Sequence, residues 1–308
     1  MKKGLVILMI LSLVGGSVFA QGASEQKVFP SKAIEMNMSW PPGGSSDTQA
    51  RVLIEGAEDV FGVPVVIVDK SGATGTKSAM ASKMAKADGY TVMWASGGQF
   101  TLTPQNIAVD YSIDDFKPVL GITLEHTLVV TGKDSGIESL DDLKNMGSVT
   151  YGSPGASSGP AAALGMLMDK MGIQADHVPF SGSNESSVAA LGGHVDISDS
   201  RTTIVDSMED LRVLCILSSK RSELLPGVPT AKELGYDVVL ESYNGLYAPK
   251  DTPDDVVDTL AAGFEKLLNA DSFKEFTKNS KIDIYGADKA SLEKKVRSEA
   301  AFFESYFN

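Results

Sequence analysis

The chain has 308 residues, 43% of them hydrophobic and 22% charged, and its formal net charge is −13. That length and balance suit a soluble globular protein with room for two α/β lobes, and they exclude a predominantly disordered chain. The acidic surplus argues against nucleic acid as a partner. It leaves a small anionic ligand open, because local dipoles in a pocket can oppose the global charge.

Residues 1–20 read as an export signal. "MKK" is a basic start, "GLVILMILSLV" is an apolar stretch too short for the ~20 residues of a bilayer span, and "SVFA" ends in a small-residue cleavage pattern. Cleavage is expected after Ala20, giving a soluble periplasmic or secreted protein. Losing Lys2 and Lys3 makes the mature chain more acidic still. A polar tail, Gln21 to Lys27, leads into the fold.

"AIEMNMSW" reads as a strand that stops at Pro41 and Pro42, neither of which can donate to a ladder. Gly43 and Gly44 permit a positive φ and a close approach to the backbone. Ser46 and Gln49 have capping-box spacing for the next helix, in which Ala50, Leu53, Ile54, Ala57, Val60 and Phe61 recur with helical period. A loop that points N–H groups and hydroxyls from a helix N-terminus is a ready anion site.

"VPVVIVDK" has the continuous apolar character of a strand buried on both faces. Gly72-Ala73-Thr74-Gly75 reads as a turn and cap, "GTKSAMASKMAKA" as a helix and "YTVMWAS" as a third strand. The resulting βαβαβ unit implies right-handed crossovers and a doubly wound sheet.

The pattern then restarts. "SLDDLKN" is a short helix, "SVTYGS" a strand, "GPAAALGMLMDKMG" a helix, "DHVPF" a strand and "NESSVAALGG" a helix, and "HVDIS" and "LRVLCILSS" are strands. Between the first strand and helix of this half lies a second Gly/Ser/Pro loop, Gly152 to Gly159, with Pro160 suited to the first helical position. Both loops fall at the carboxyl ends of strands, where open α/β sheets bind ligands. The remaining segments, "DDVVDTLAAGFEKLLN", "SFKEFTKN" and "KASLEKKVRSEAAFFESYF", are helical with spacing suited to packing on a sheet.

Neither loop is a nucleotide fingerprint. Gly155-Ala156-Ser157-Ser158-Gly159 does match the nucleophile-elbow pattern of a serine hydrolase. Asp176 with His177, or His194 with Asp196, would have to complete its triad. The intervening Gly152-Ser153-Pro154 displaces Ser157 from the sharp turn such an enzyme needs. No metal site is expected, because His126, His177 and His194 have no ligating spacing. Asp114-Asp115, Asp141-Asp142 and Asp254-Asp255 read as acidic first turns of helices rather than acid/base pairs. Cys215, the sole cysteine, excludes a disulfide and reads as a core thiol.

"SKAIEMNMSWPPGGSSDTQAR" resembles the opening of the Bug/TctC-type periplasmic solute-binding proteins, the receptors of tripartite tricarboxylate transporters. "ADGYTVMWAS", "VTYGSPGASSG", "HVPFSGSNES…ALGGHVD", "LRVLCILSSKRSELLPGVPTAKELGY" and "GLYAPKDTP" resemble further family blocks in the same order.

The resemblance implies a two-lobed type II periplasmic-binding fold, with doubly wound sheets and a hinge of two crossing strands. Lobe 1 would span residues 27–125 plus 246–308 and lobe 2 residues 126–245. "HTLVVTG" and "ESYNGLYAP" would be the connecting strands. It further implies a monomeric, non-enzymatic receptor without a cofactor. Such a receptor closes on a small organic carboxylate and delivers it to membrane subunits of the transporter, or senses the ligand without transport.

Carried over residue by residue, Gly44, Ser45, Ser46 and Asp47 would hold the carboxylate from one side and Ser153, Ser157 and Ser158 from the other. Trp40 would line it. After Val195-Asp196 the chain departs from the family pattern and reads "ISDSRTTIVDSMEDLR". Ser200 and Arg201 are candidate contacts there. Arg201 either takes a second carboxylate bidentately or is a solvated arginine in a helix first turn, paired with Asp199 or Asp206.

Overall fold

The computed structural model describes residues 29–40, 42–155, 158–180 and 182–307. Eleven strands among them form two sheets. The first contains β1 (Ile34–Met38), β2 (Val65–Asp69), β3 (Thr91–Ser96), β4 (Phe116–His126), β10 (Glu241–Pro249) and β11 (Asp283–Ile284), in the spatial order β2-β1-β3-β10-β4-β11. The second contains β5 (Leu128–Gly132), β6 (Val149–Pro154), β7 (Ala175–Phe180), β8 (Ile197–Ser200) and β9 (Leu211–Ile216), in the order β7-β6-β8-β5-β9.

The two sheets repeat one plan. In the first, β1 lies between β2 and β3, parallel to both, and β10 enters antiparallel between β3 and β4. In the second, β6 lies between β7 and β8, parallel to both, and β5 enters antiparallel between β8 and β9. Each lobe therefore receives one strand from chain that has just left the other. Thr127 separates β4 from β5, and Leu240, whose N–H reaches Leu217 O in the second lobe, precedes β10. The segment "ESYNGLYAP", expected to cross between lobes, pairs with β4 along its whole length, from Glu241 to Pro249.

Burial explains the element types. β1 is buried at four of five positions, as a strand covered on both faces must be. One face packs against helix Asp254–Leu268, whose Val257, Leu260, Phe264, Leu267 and Leu268 form an apolar stripe at 3- and 4-residue intervals. Burying a side chain such as Phe264 contributes roughly 1.5–3 kcal/mol. The second sheet buries Leu164, Leu167 and Met168 of helix Gly159–Met171 against Val149 and Ile197. Cys215 belongs to that core, and burial pushes its thiol up to about 12.

Several expected details differ. The helix foreseen through Phe61 is two helices, Ser45–Leu53 and Ala57–Phe61, broken at Gly56, whose φ of 78° is left-handed. Pro160 occupies the second position of its helix, because Ser158 is the N-cap. The long strand β4 carried no clean alternation, being buried at nine of its eleven residues. The acidic pairs do open helical turns, with capping boxes at Ser112 and Ser139. The C-terminal helix Lys289–Phe307 begins against the first sheet through Leu292 and Val296 and ends with Phe303 in the core of the second.

Candidate functional site

In each sheet the chain leaves the central strand toward one face and the next parallel strand toward the other, so a crevice opens at their carboxyl ends. For the first sheet these ends are the loops after β1 (residues 39–44) and β3 (Ser96–Gly98). For the second they are the loops after β6 (from Gly155) and β8 (Ser200–Arg201). Trp40, Gly44, Ser45, Ser46, Asp47, Ser153, Ser158, Ser200 and Arg201 thus all lie at or beside switch points of the two sheets. Ser157, Pro41 and Ala156 lie outside the described residues.

The first loop is held from within. Asp47 is buried, and its Oδ2 accepts from the Gly43 N–H at 2.9 Å and from Arg51 Nε at 2.8 Å. The Arg51 guanidinium beside it holds its carboxyl below the ordinary value of 3.8. Asp47 is therefore a strut for the loop.

The expected Ser46–Gln49 capping box does not form. Gly44 is the N-cap, no side chain caps the helix, and Ser46 lies within the first turn. Gln49 instead donates to Ser45 Oγ at 2.9 Å and accepts from Thr123 Oγ1 at 2.6 Å and Asn244 Nδ2 at 3.2 Å. This nine-residue helix so presents its first amides without a side-chain acceptor, with the exposed Ser45 and half-buried Ser46 beside them. Trp40 is half-buried at the loop entrance.

The second loop is built differently. Ser158 Oγ accepts from the Ala161 N–H at 3.2 Å, capping helix Gly159–Met171, and its hydroxyl proton has no acceptor among the described residues. Ser153 is fully buried and its hydroxyl is bonded to His177 Nε2 at 2.8 Å. Burial holds His177 below the usual imidazole range, and the ring stacks on Tyr151 with centroids 4.9 Å apart. Ser200 is also fully buried and accepts from Ser187 Oγ at 2.9 Å. Ser153 and Ser200 thus have partners inside the lobe.

Arg201 is half-buried, stands at the N-cap of helix Thr202–Ser207, and donates through a guanidinium nitrogen to Thr127 Oγ1 at 3.0 Å. Of its two expected partners, Asp206 faces Lys281 at 4.0 Å. Asp199 is buried, bonded to Ser183 and Ser186, with its carboxyl raised by burial. Arg201, Gly159 and Pro160 from the second lobe, Ser96, Gly98 and Thr101 from the first, and Thr127 at the crossing line a cavity of about 120 Å³. The lobes touch beside it: a Cβ on Gly159 would lie 3.1 Å from Leu102.

Sequence reasoning missed the loop after β3, and it named Asp199 only as a partner for Arg201, not as a buried carboxylate bonded to Ser183 and Ser186. Ser96-Gly97-Gly98 was visible as a run of small residues after a strand, and the switch-point rule would have selected it. Gly97 is required there, because a Cβ would meet the Tyr243 ring at 2.1 Å. The turn at residues 72–75 is also more than a cap. Ala73 and Thr74 hold φ values of 49° and 52°, a strained left-handed pair at the carboxyl end of β2.

The partners nominated for a hydrolase triad have other settings, and the nominated nucleophile Ser157 lies outside the described residues. Asp176 is exposed, His177 serves Ser153, and Asp196 Oδ2 accepts from Thr150 N and Oγ1 at 2.7 Å. Among the described residues no cluster of His, Cys, Asp or Glu can hold a metal ion.

Residues 49–302 match the family model described as tripartite tricarboxylate transporter family receptor. The chain is 32% identical over 255 residues to a UPF0065 protein of the gbd 5' region of Cupriavidus necator, covering 80% of this chain and 78% of the relative. It is 29% identical to protein BugT of Bordetella pertussis, over 86% of both chains. Its fold matches a TctC solute binding protein from Polaromonas with a TM-score of 0.85, at 23% identity, over 91% of this chain and 99% of that one. It also matches MatC from Rhodopseudomonas palustris, solved with bound malate, with a TM-score of 0.67 at 23% identity, over 91% and 100% of the two chains.

Proposed function

The chain belongs to the tripartite tricarboxylate transporter receptor family, a family of solute-binding receptors and not of enzymes, and on that premise we propose that it captures a small dicarboxylate between its lobes and delivers it to the membrane subunits of such a transporter. The observation that carries the proposal is the uncapped start of helix Ser45–Leu53 at one switch point, with Ser158 and Arg201 at those of the other lobe. An uncapped helix start offers amide donors and a positive dipole end to one carboxylate. A guanidinium offers a fork of donors to a second.

In this reading the amides and hydroxyls of Ser45 and Ser46, the backbone at Gly44, the Ser158 hydroxyl and Ser157 bind the first carboxylate, and Trp40 covers it. Asp47, Ser153 and Ser200 act through the loops they brace. Arg201 releases Thr127 and takes the distal carboxylate. The malate of MatC and the adipate of a second fold relative from R. palustris, both dicarboxylates, support this ligand class. Charge-assisted hydrogen bonds contribute roughly 1.5–3 kcal/mol each, and several of them, offset by desolvation and closure, give affinities of about micromolar order. Closure would be a hinge motion of monomeric protein in the periplasm after removal of the leader, which lies outside the described residues.

Calorimetry tests the assignment with a dicarboxylate and its matching monocarboxylate, each against wild type and Arg201→Ala. The dicarboxylate should lose roughly 2–5 kcal/mol and the monocarboxylate almost nothing. Equal losses, or none, would remove Arg201 from the site. Failure of every mono-, di- and tricarboxylate in a panel to raise the melting temperature would defeat the carboxylate reading itself.

A further inference from the structure

A second and larger cavity, of about 970 Å³, opens between the lobes at the other end of the first sheet, beyond β4 and β11. Lys274 and Lys278 of helix Asp271–Asn279, and Lys294 and Lys295 of the C-terminal helix, line it from the first lobe. Lys220, Arg221 and Lys232 line it from the second. Seven of the chain's 27 lysines and arginines thus surround one cavity of a protein with net charge −13. Three carboxylates share the lining, Glu223, Glu241 and Asp283, which leaves a local surplus of four positive charges.

Two of those carboxylates are already engaged. Glu241 takes Lys295 Nζ at 2.6 Å and the Ser219 N–H at 3.1 Å, and Asp283 takes His126 Nε2 at 2.6 Å and Ser222 Oγ at 2.9 Å. Among the cations, Arg221 pairs with Glu233 and Lys232 approaches Asp237. Lys220, Lys274, Lys278 and Lys294 make no ion pair with any described residue. Lys274 and Lys278 stand at i, i+4 on one helix, a like-charge spacing that disfavours the helix unless an anion relieves it. His126, itself buried, lines the same cavity, and its Nδ1 has no partner among the described residues.

We infer that this cavity, which shares only Glu241 of its lining with the cavity beside Arg201, is a second anion site, and that it takes a compact polyanion carrying three or more negative charges. Both lobes contribute cations, so a bound polyanion ties them together next to the Asp283–Ser222 and Glu241–Ser219 links. The volume lies in the range of small-molecule sites. Multivalency follows from the unpaired lysines, because one carboxylate cannot meet four ammonium groups on three separate elements. Polyphosphates and polycarboxylates share that chemistry.

Calorimetry at low salt, on the full chain without its leader, tests the site with two probes, inorganic tripolyphosphate and propane-1,2,3-tricarboxylate. Tripolyphosphate should bind one to one, with affinity falling steeply as salt is raised. The exposed triple variant Lys274→Gln/Lys278→Gln/Lys294→Gln should lose at least tenfold, and Lys220→Gln alone, on the opposite lobe, severalfold. Arg201→Ala should leave the affinity unchanged. The tricarboxylate arm assigns the source: a loss in the lysine variants equal to that of tripolyphosphate means that charge alone is read, and a loss confined to tripolyphosphate means a phosphate site. Wild-type affinity in the triple variant, or loss of tripolyphosphate binding on Arg201→Ala, would overturn the inference.

Discussion

Asn244, on the strand that returns to the first sheet, donates its side-chain amide to Gln49, one turn into the helix that follows the first glycine loop, at 3.2 Å. Gln49 is fully buried, and the same Oε1 also accepts from Thr123 on β4. The proposed carboxylate loop is thereby tied to both strands next to the lobe crossing. Gln49→Ala should leave the hydroxyl of Thr123 and the amide of Asn244 underpaired, at a cost of about 1–3 kcal/mol. Urea unfolding measures it, and an unchanged midpoint would show that water replaces Gln49 without penalty.

Asp47 gives the loop a dependence on acid. Because its folded-state pKa is lowered, chiefly by the hydrogen bond from Arg51, its contribution is fully present above the ordinary value of 3.8 and is lost as pH falls through the lower folded value. The stability difference between wild type and Asp47→Asn should be constant from pH 7 down to about pH 5, then shrink at lower pH. Denaturant titrations at stepped pH test this, and a difference that grows with acid would reverse the sign.

Gly97 sets the approach of the β3 loop to Tyr243. A methyl group there would overlap a ring that is 2% exposed. Gly97→Ala should destabilise by about 1–3 kcal/mol, the range for overpacking. It should also weaken ligand binding, because the cavity beside Ser96 and Gly98 moves with the loop. A melting temperature equal to wild type would show that Tyr243 yields.

Ser158 combines a cap with a proposed ligand contact, and two replacements separate them. Ser158→Gly keeps most of the capping free energy and Ser158→Ala does not, a difference of about 1 kcal/mol in stability. Both remove the hydroxyl, so both should weaken dicarboxylate binding by a similar factor. Full affinity in the Gly variant would confine Ser158 to its structural role.

Cys215 should be inert in the folded protein. It is fully buried and its thiol is pushed up to about 12, so iodoacetamide at pH 8 should label it only after unfolding. Fast labelling of the native state would place the thiol outside the core.

Alternating strands and helices were legible because the segments with strong period are those buried by neighbours of a single kind. "DDVVDTLAAGFEKLLN" is an example. "VPVVIVDK", expected to be buried on both faces, instead forms the edge strand β2, with Val66 exposed and only Val65 buried, because an apolar run alone does not tell a central strand from an edge. β4 was not legible, since a strand covered on both faces has no polar side to mark its period. The first glycine loop announced itself through Pro41–Gly44, but not its internal bracing. The Asp47–Arg51 pair has helical i, i+4 spacing, yet Gln49 reaches Asn244 across 195 positions of sequence. Ser153 and Ser200 looked like ligand hydroxyls because composition cannot report which way a strand-end residue faces. Their hydroxyls are bonded to His177 and Ser187 of neighbouring elements, contacts that composition does not report.

The C-terminal helix changes what kind of machine this is. Two strand crossings alone would make a door hinge, free to swing. Here a third rigid member is rooted beside Leu292 and Val296 in one lobe, and its Phe303 ring is sunk in the other. The lobes are therefore joined as a three-bar linkage. Any opening that spreads them directly apart must pull an aromatic ring from its socket, whereas a twist about the long axis of the helix leaves the ring seated. The hinge closure proposed above should therefore carry a twist about the helix axis, which keeps Phe303 seated.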